Sequence, residues 1–254
     1  MFLSNDDLKL AYGVDLQIGK YFVDREVPKQ NSYWEKRHLY IVPQPGYIFV
    51  PIYVDLVFRI GIRKELLLSD DYVLLMERIM DSAARQEKEK IPMHIHIEEC
   101  ISYASKVSVN TMFLDELNKY FNNTKGINRL GFGSPFPALT RADAFLFSLC
   151  VLNFDEATAF KLVEAWNALM TFFLVKDDLL DIKEDLQNNE ANAVLEAGLN
   201  DHGAKQIADL LDQSYESMMK YNPVLANRID HTRATTDIPK LIAAILSDQQ
   251  VKTN

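Results

Sequence analysis

Apolar residues recur at steps of three and four along most of this chain. That spacing predicts helices in preference to strands. The first segment predicts an entry helix capped near Ser4, with Asp6 and Asp7 in its first turn. The following LQIGKYFV alternates as well as it winds, so helix and strand both stay open there. Pro28 and the polar Lys29 to Ser32 mark a loop, Tyr33 to Val42 is ambiguous, and Pro43, Pro45 and Gly46 form a break. Tyr53, Leu56, Val57 and Ile60 then predict a buried helix ending near Gly61 or Arg63. Ser69 caps the next one. Asp70 and Asp71 open it, and Val73, Leu74, Glu77 and Met80 carry it to about Lys90.

A single helix is expected over Pro92 to Asn122, with Ile97, Ile101, Ala104, Val107, Met112, Leu114 and Leu117 on its apolar side. The stretch NNTKGINRLGFGSPFP, rich in glycine and proline, reads as a site rim or a long connection. Thr140 opens a helix from Arg141 to Leu152. Asn153 or Asp155 caps a long helix that frays around Asn188 and Asn189. A short helix ends at Gly198. The next begins at Asp201 or His202, aligns Ile207, Leu210, Leu211, Tyr215 and Met218, and is broken by Pro223. Thr235 or Thr236 caps a last helix, Ile238 to Asp248. The expected fold is all-α, a single-domain bundle of about eight helices over residues 1–254, with residues 1–46 the least regularly patterned.

The long helix carries the most distinctive wording, LVEAWNALMTFFLVKDDLLDIKED from Leu162 to Asp185. Leu162, Trp166, Leu169 and Phe173 share a face, and the same stripe runs on to Asp177, Asp181 and Glu184. In that register the acids turn inward. A buried acid cluster must take up protons or find a cation, and Mg2+ prefers carboxylate oxygens. A competing stripe, Leu179, Ile182 and Leu186, lies on the opposite side. If that stripe is the buried one, the acids face water.

Composition narrows the function classes. The chain is 48% hydrophobic and 25% charged, ordinary for a globular protein with a sizeable core. Nine glycines and nine prolines are few for an all-β chain of 254 residues. A net charge of −9 argues against nucleic acid and against anionic membrane surfaces as partners. No basic region followed by an apolar core opens the chain. The longest apolar runs, Tyr47 to Phe58 and Leu169 to Val175, are too short or interrupted by Asp55 to span a bilayer. A cytoplasmic protein without integral membrane association is expected, in which the sequon Asn122-Asn123-Thr124 is idle. A homodimer is compatible with the apolar fraction. Cys100 and Cys150 lack ligand spacing and read as buried thiols.

The words FFLVKDDLLDIKED resemble the second aspartate-rich motif of the class I isoprenoid synthases, especially the prenyl diphosphate synthases. Phe173, Asp177, Asp178, Asp181 and Asp185 match the family's Phe-Gln-x-x-Asp-Asp-x-x-Asp pattern and its later aspartate, while Leu174 replaces the glutamine. The resemblance implies an all-α bundle around an apolar cavity. It implies that Asp177, Asp178, Asp181 and Asp185 bind Mg2+, and that the Mg2+ grips a prenyl diphosphate. Phe173, Trp166 and Lys176 would then lie near that substrate, and Phe145, Phe147 and Phe172 are further candidates for an apolar lining. Metals neutralise the diphosphate as its carbon–oxygen bond breaks, and dry walls protect the carbocation. Ionisation could lead to chain elongation or to cyclisation. The family's first aspartate-rich motif with its paired arginines is missing, as is its Lys-Thr pair. The alternatives are a relative that has lost catalysis and a helical interaction or scaffold protein with solvated acids.

Other candidates carry less. In MHIHIEEC, a strand would align His94, His96 and Glu98 for Zn2+. A helix would pair His94 with Glu98 and face His96 towards Cys100, one His and one Glu being too few ligands. Asp70, Asp71, Glu77 and Asp81, and then Asp115 and Glu116, are the next acidic candidates, read as a capped helix start and a solvated face. Arg59, Arg63, Lys64, Arg129, Arg141, Lys176, Arg228 and Arg233 are the available cations, with Lys176 a local counter-charge to Asp177.

Overall fold

A computed structural model describes residues 2–26, 31, 40, 47–122 and 128–252, with side chains as far as residue 247. The protein is all-helical, as the spacing predicts, and no strand occurs among the described residues. Among the described residues there are twelve α-helices and the 3-10 helices Pro137–Thr140 and Asp143–Val151, more than the eight helices expected. The break at Pro43 to Gly46, the segment Tyr33 to Val42 apart from Tyr40, and Asn123 and Thr124 of the sequon lie outside the described residues. The chain divides into two compact units. One is Met1–Phe132 with Ala142–Glu164, and the other is Gly133–Arg141 with Ala165–Asn254.

In the first unit, helix α1 (Asn5–Tyr12) starts on a reciprocal cap. The Ser4 hydroxyl accepts the Asp7 N–H, and the Asp7 carboxylate accepts the Ser4 N–H. Gly13 ends it in the left-handed conformation at φ 71°. The ambiguous LQIGKYFV is helix α2 (Leu16–Asp24). The Asp15 carboxylate decides the matter by accepting the N–H groups of Gln17 and Ile18. Helix α3 (Phe49–Ile60) is buried from Val50 to Val57, including Asp55. That carboxylate accepts from Arg59 and from the Asp15 backbone, which joins α3 to the start of α2. After a single turn, α4 (Lys64–Leu67), helix α5 (Asp70–Glu89) begins at its Ser69 cap. Glu77, expected as part of a capped helix start, is buried and holds Arg25 through two hydrogen bonds of 2.7 and 2.9 Å. Tyr40 donates to it as well.

The single helix expected over Pro92 to Asn122 is two helices, α6 (Met93–Val107) and α7 (Thr111–Phe121). The apolar stripe runs on across the break, which is why spacing hid it. The break is made by polar bonds. The N–H groups of Val109 and Asn110 and the Ser108 hydroxyl all bond the Cys150 carbonyl, and the Asn110 side chain caps α7. The α-helix expected from Arg141 to Leu152 is instead a 3-10 helix, Asp143–Val151, and a 3-10 turn, Pro137–Thr140, precedes it. From Asp143 to Cys150 every residue is buried, so no polar face existed to betray the pitch.

Helix α8 (Glu156–Asn188) begins after Asp155, whose carboxylate accepts the Thr158 N–H. It is long and apolar enough to cross a membrane by length and composition alone, and 61% of that apolar window is buried within the protein, as in a core helix. The second unit adds α9 (Ala193–Ala197), α10 (Asp201–Tyr221), α11 (Pro223–Thr235) and α12 (Ile238–Lys252). Helix α11 was not expected. Pro223 does end α10, and it also stands at the first turn of α11, where its missing N–H is harmless and Asn222 caps the helix. Helix α12 packs on α10 and buries Ile238, Ile242 and Ile245. Its cap is Asp237, which accepts the Lys240 N–H, rather than Thr235 or Thr236.

The turn between α9 and α10 leaves no space beside Gly203. A Cβ there would lie 2.0 Å from the Gly198 carbonyl oxygen and 2.7 Å from that of Ala197, both backbone atoms. Gly203→Ala should therefore cost about 1–3 kcal/mol, the usual range for overpacking. Urea denaturation will check this, with a lowered midpoint at unchanged slope as the expected result.

Candidate functional site

The acids of α8 do not share one face. The buried positions through this stretch are Thr171, Phe172, Val175, Asp178, Leu179 and Ile182. Asp181 and Glu184 are exposed, and Asp177 is half-buried. The inward register expected from Phe173 to Asp177 and Asp181 is thus corrected to the competing stripe of Leu179 and Ile182. Leu186, assigned to the same stripe, is exposed at 37%. The reason is visible in the bonding: one aspartate, Asp178, takes the inward position and is provided with donors.

Asp178 is 2% exposed. Its Oδ2 accepts the Ala193 N–H at 2.7 Å, at the start of α9. Its Oδ1 accepts from Nη1 and Nη2 of Arg141, both at 3.1 Å. The Asp178 backbone carbonyl accepts the Asn192 side-chain amide at 2.7 Å. All these partners are donors, so the geometry serves the ionised carboxylate. Burial nonetheless pushes the Asp178 pKa up, against the pull of Arg141 and the Ala193 N–H, with Asp177 adding to the rise.

The neighbours close a ring. Arg141 also donates to the Ala138 carbonyl. The Ala138 N–H is received by the Glu196 carboxylate on α9, at 3.2 and 3.0 Å. Asn192 caps α9 through the N–H groups of Val194 and Leu195, and donates to Asp185 at 2.8 Å. Helix α8, the 3-10 turn at Pro137 and helix α9 are therefore tied in a closed circuit, entirely within the second unit. Arg141 stood among the candidate cations in the sequence. Asn192 and Glu196 were missed. The signal for Asn192 was present, an Asn before the short apolar run Ala193 to Leu195, which is a cap signature.

The other expected residues fall as follows. Asp177 lies 3.4 Å from Arg141 and is 43% exposed. Asp185 is committed to Asn192, and Asp181 points to solvent. The four carboxylates thus do not converge, and no group of three or more His, Cys, Asp or Glu among the described residues is arranged to hold a metal ion. A four-acid Mg2+ cage does not fit. Asp177 and Asp181, one turn apart and accessible, could hold Mg2+ in the manner of sites that use one or two carboxylates with phosphate oxygens and water. Trp166 is buried, Phe173 is half-buried against Phe172, and Lys176 is exposed. In the first unit Phe145 packs edge-on to Phe49 and Tyr53, and Phe147 stacks on Phe121. The histidine-rich stretch is helical, with His94 exposed and His96 buried against Ser82 and Cys100. Burial pushes both thiols up, that of Cys150 to about 12.

No protein-family model matches the chain, and neither a curated protein nor a solved structure matches it.

Asp178→Ala should cost about 2–3 kcal/mol. The loss includes its charge-assisted bonds, moderated because Arg141 keeps the Ala138 carbonyl, the more distant Asp177 and some contact with water. Asp181→Ala should stay within about 0.5 kcal/mol, as exposed positions usually do. Chemical denaturation of the two variants beside the wild type checks the contrast.

Proposed function

We propose that this chain is a non-catalytic helical interaction or scaffold protein whose aspartate-rich stretch is a structural joint. The observation that carries this reading is the engagement of Asp178. The one buried carboxylate of the stretch has both oxygens occupied by internal donors, Arg141 and the Ala193 N–H. Replacing those donors with a metal would open the ring that seats α9 on α8. On this reading the resemblance to the isoprenoid synthases is either local wording or the trace of a relative that has lost catalysis. The surface acids Asp181 and Glu184 then serve solubility.

One observation favours a second reading. Asp177 and Asp181 stand one turn apart and reach solvent, and Arg141 lies beside Asp177. Two carboxylates and a guanidinium suit a Mg2+-diphosphate group, and the resemblance would make that group the head of a prenyl diphosphate. Asp178 would then only position Arg141.

Thermal unfolding separates the two. The wild type and the Asp177→Asn/Asp181→Asn double variant are compared with Mg2+ alone and with Mg2+ plus pyrophosphate. A ligand that binds only the folded state raises Tm by mass action. The proposal predicts no shift in either protein. A shift that needs both Mg2+ and pyrophosphate, and that vanishes in the variant, would overturn it in favour of the diphosphate site.

A further inference from the structure

The second polar cluster lies in the first unit, between α5 and α6. Ser82 and His96 are 2% and 3% exposed, and Cys100 is fully buried. The Ser82 hydroxyl donates to Oε2 of Glu99 at 2.5 Å. Having only one hydrogen, it must accept at its second contact, the 2.8 Å approach of His96 Nδ1. His96 therefore carries a proton on Nδ1, and its burial favours the neutral ring. Nε2 then keeps its lone pair, and Cys100 Sγ approaches both ring nitrogens, at 3.6 Å from Nδ1 and 3.9 Å from Nε2. Arg85 on α5 completes the joint with bonds of 3.3 and 2.6 Å to Glu99 and an ion pair with Asp81 at 3.5 Å.

We infer that this joint is a pH-sensitive device: in mild acid His96 gains a proton at Nε2, and the contact between α5 and α6 opens. An imidazolium has two N–H groups to satisfy. Nδ1–H already has Ser82, and among the described residues Nε2–H would meet the weakly accepting Cys100 sulfur. The charged groups acting on the ring are divided. Glu99 on α6 attracts the extra proton, while Arg85 on α5 repels it. Asp81 on α5 is paired with Arg85, and the raised Cys100 thiol on α6 stays neutral. Burial is the largest influence on His96 and lowers its pKa from the ordinary 6.5, with Glu99 raising it and Arg85 lowering it further.

The sign follows from that depression. Between the lowered pKa of the closed joint and 6.5, an opened His96 holds a proton that the closed one does not. The contribution to stability is fully present above about pH 6.5 and declines as pH falls through that window. Opening linked to one proton can favour the open state by up to about tenfold per pH unit.

Hydrogen exchange of the full chain, corrected for the intrinsic pH dependence, tests this between pH 7.5 and 5. The comparison variant is His96→Asn, whose side-chain amide keeps a donor near the Nδ1 position and cannot titrate. In the wild type, protection of the α5 and α6 amides should fall several-fold more than in the variant. An equal pH dependence in the two proteins would overturn the inference. If the variant does not fold, the ring-proton NMR titration of His96 in the wild type decides. A midpoint below 6.5 that coincides with a fall in α5 and α6 amide protection upholds the inference, and a midpoint at or above 6.5, or one with no accompanying fall, overturns it.

Discussion

A carboxylate removed from water must keep its hydrogen-bond donors or release its charge. Asp178 meets that condition with Arg141 and the Ala193 N–H, and the second unit is arranged around the result. Helix α9 spans only Ala193–Ala197, too short to persist on propensity alone. It exists because its first N–H groups are received by Asp178 and Asn192, and because Glu196 reaches across to the Ala138 N–H. The 3-10 turn at Pro137 is held from the other side by Arg141. Each contact is modest; closed into a circuit, they determine where α8, α9 and the turn lie.

The first unit meets the same constraint at Glu77 and at Asp55. Glu77 is enclosed by Arg25 and Tyr40, and Asp55 by Arg59 and the Asp15 N–H. Both acids join segments distant in sequence. Arg25 and Glu77 are 52 positions apart. Buried ion pairs of this kind add little net stability over an apolar replacement, yet breaking one is costly. They therefore act more as constraints on which helices meet than as a source of stability.

How much of this was legible in the sequence differs by level. Helix capping was legible at several helices: Ser4, Ser69 and Asp155 act as caps, as their positions before apolar runs suggested, whereas the caps Asn192 and Asp237 were missed. Breaks made by polar bonding to distant residues were not, which is why α6 and α7 merged into one expected helix. The proline rule misled at Pro223, because a proline that ends one helix can open the next. The inward acid was the hardest. A stripe through Phe173, Asp177 and Asp181 and one through Leu179 and Ile182 are equally regular on a helix. Only Arg141 and Ala193, respectively 37 and 15 positions from Asp178, decide between them.

The central claim is that Asp178 and Arg141 form one structural unit. A double-mutant cycle measures this most directly, with Asp178→Asn, Arg141→Gln and the combined variant compared by urea denaturation. The account predicts a coupling of about 1–3 kcal/mol, with the double variant less damaged than the sum of the singles. Effects that add to within about 0.5 kcal/mol would contradict it. Asp178 would then be available for other chemistry.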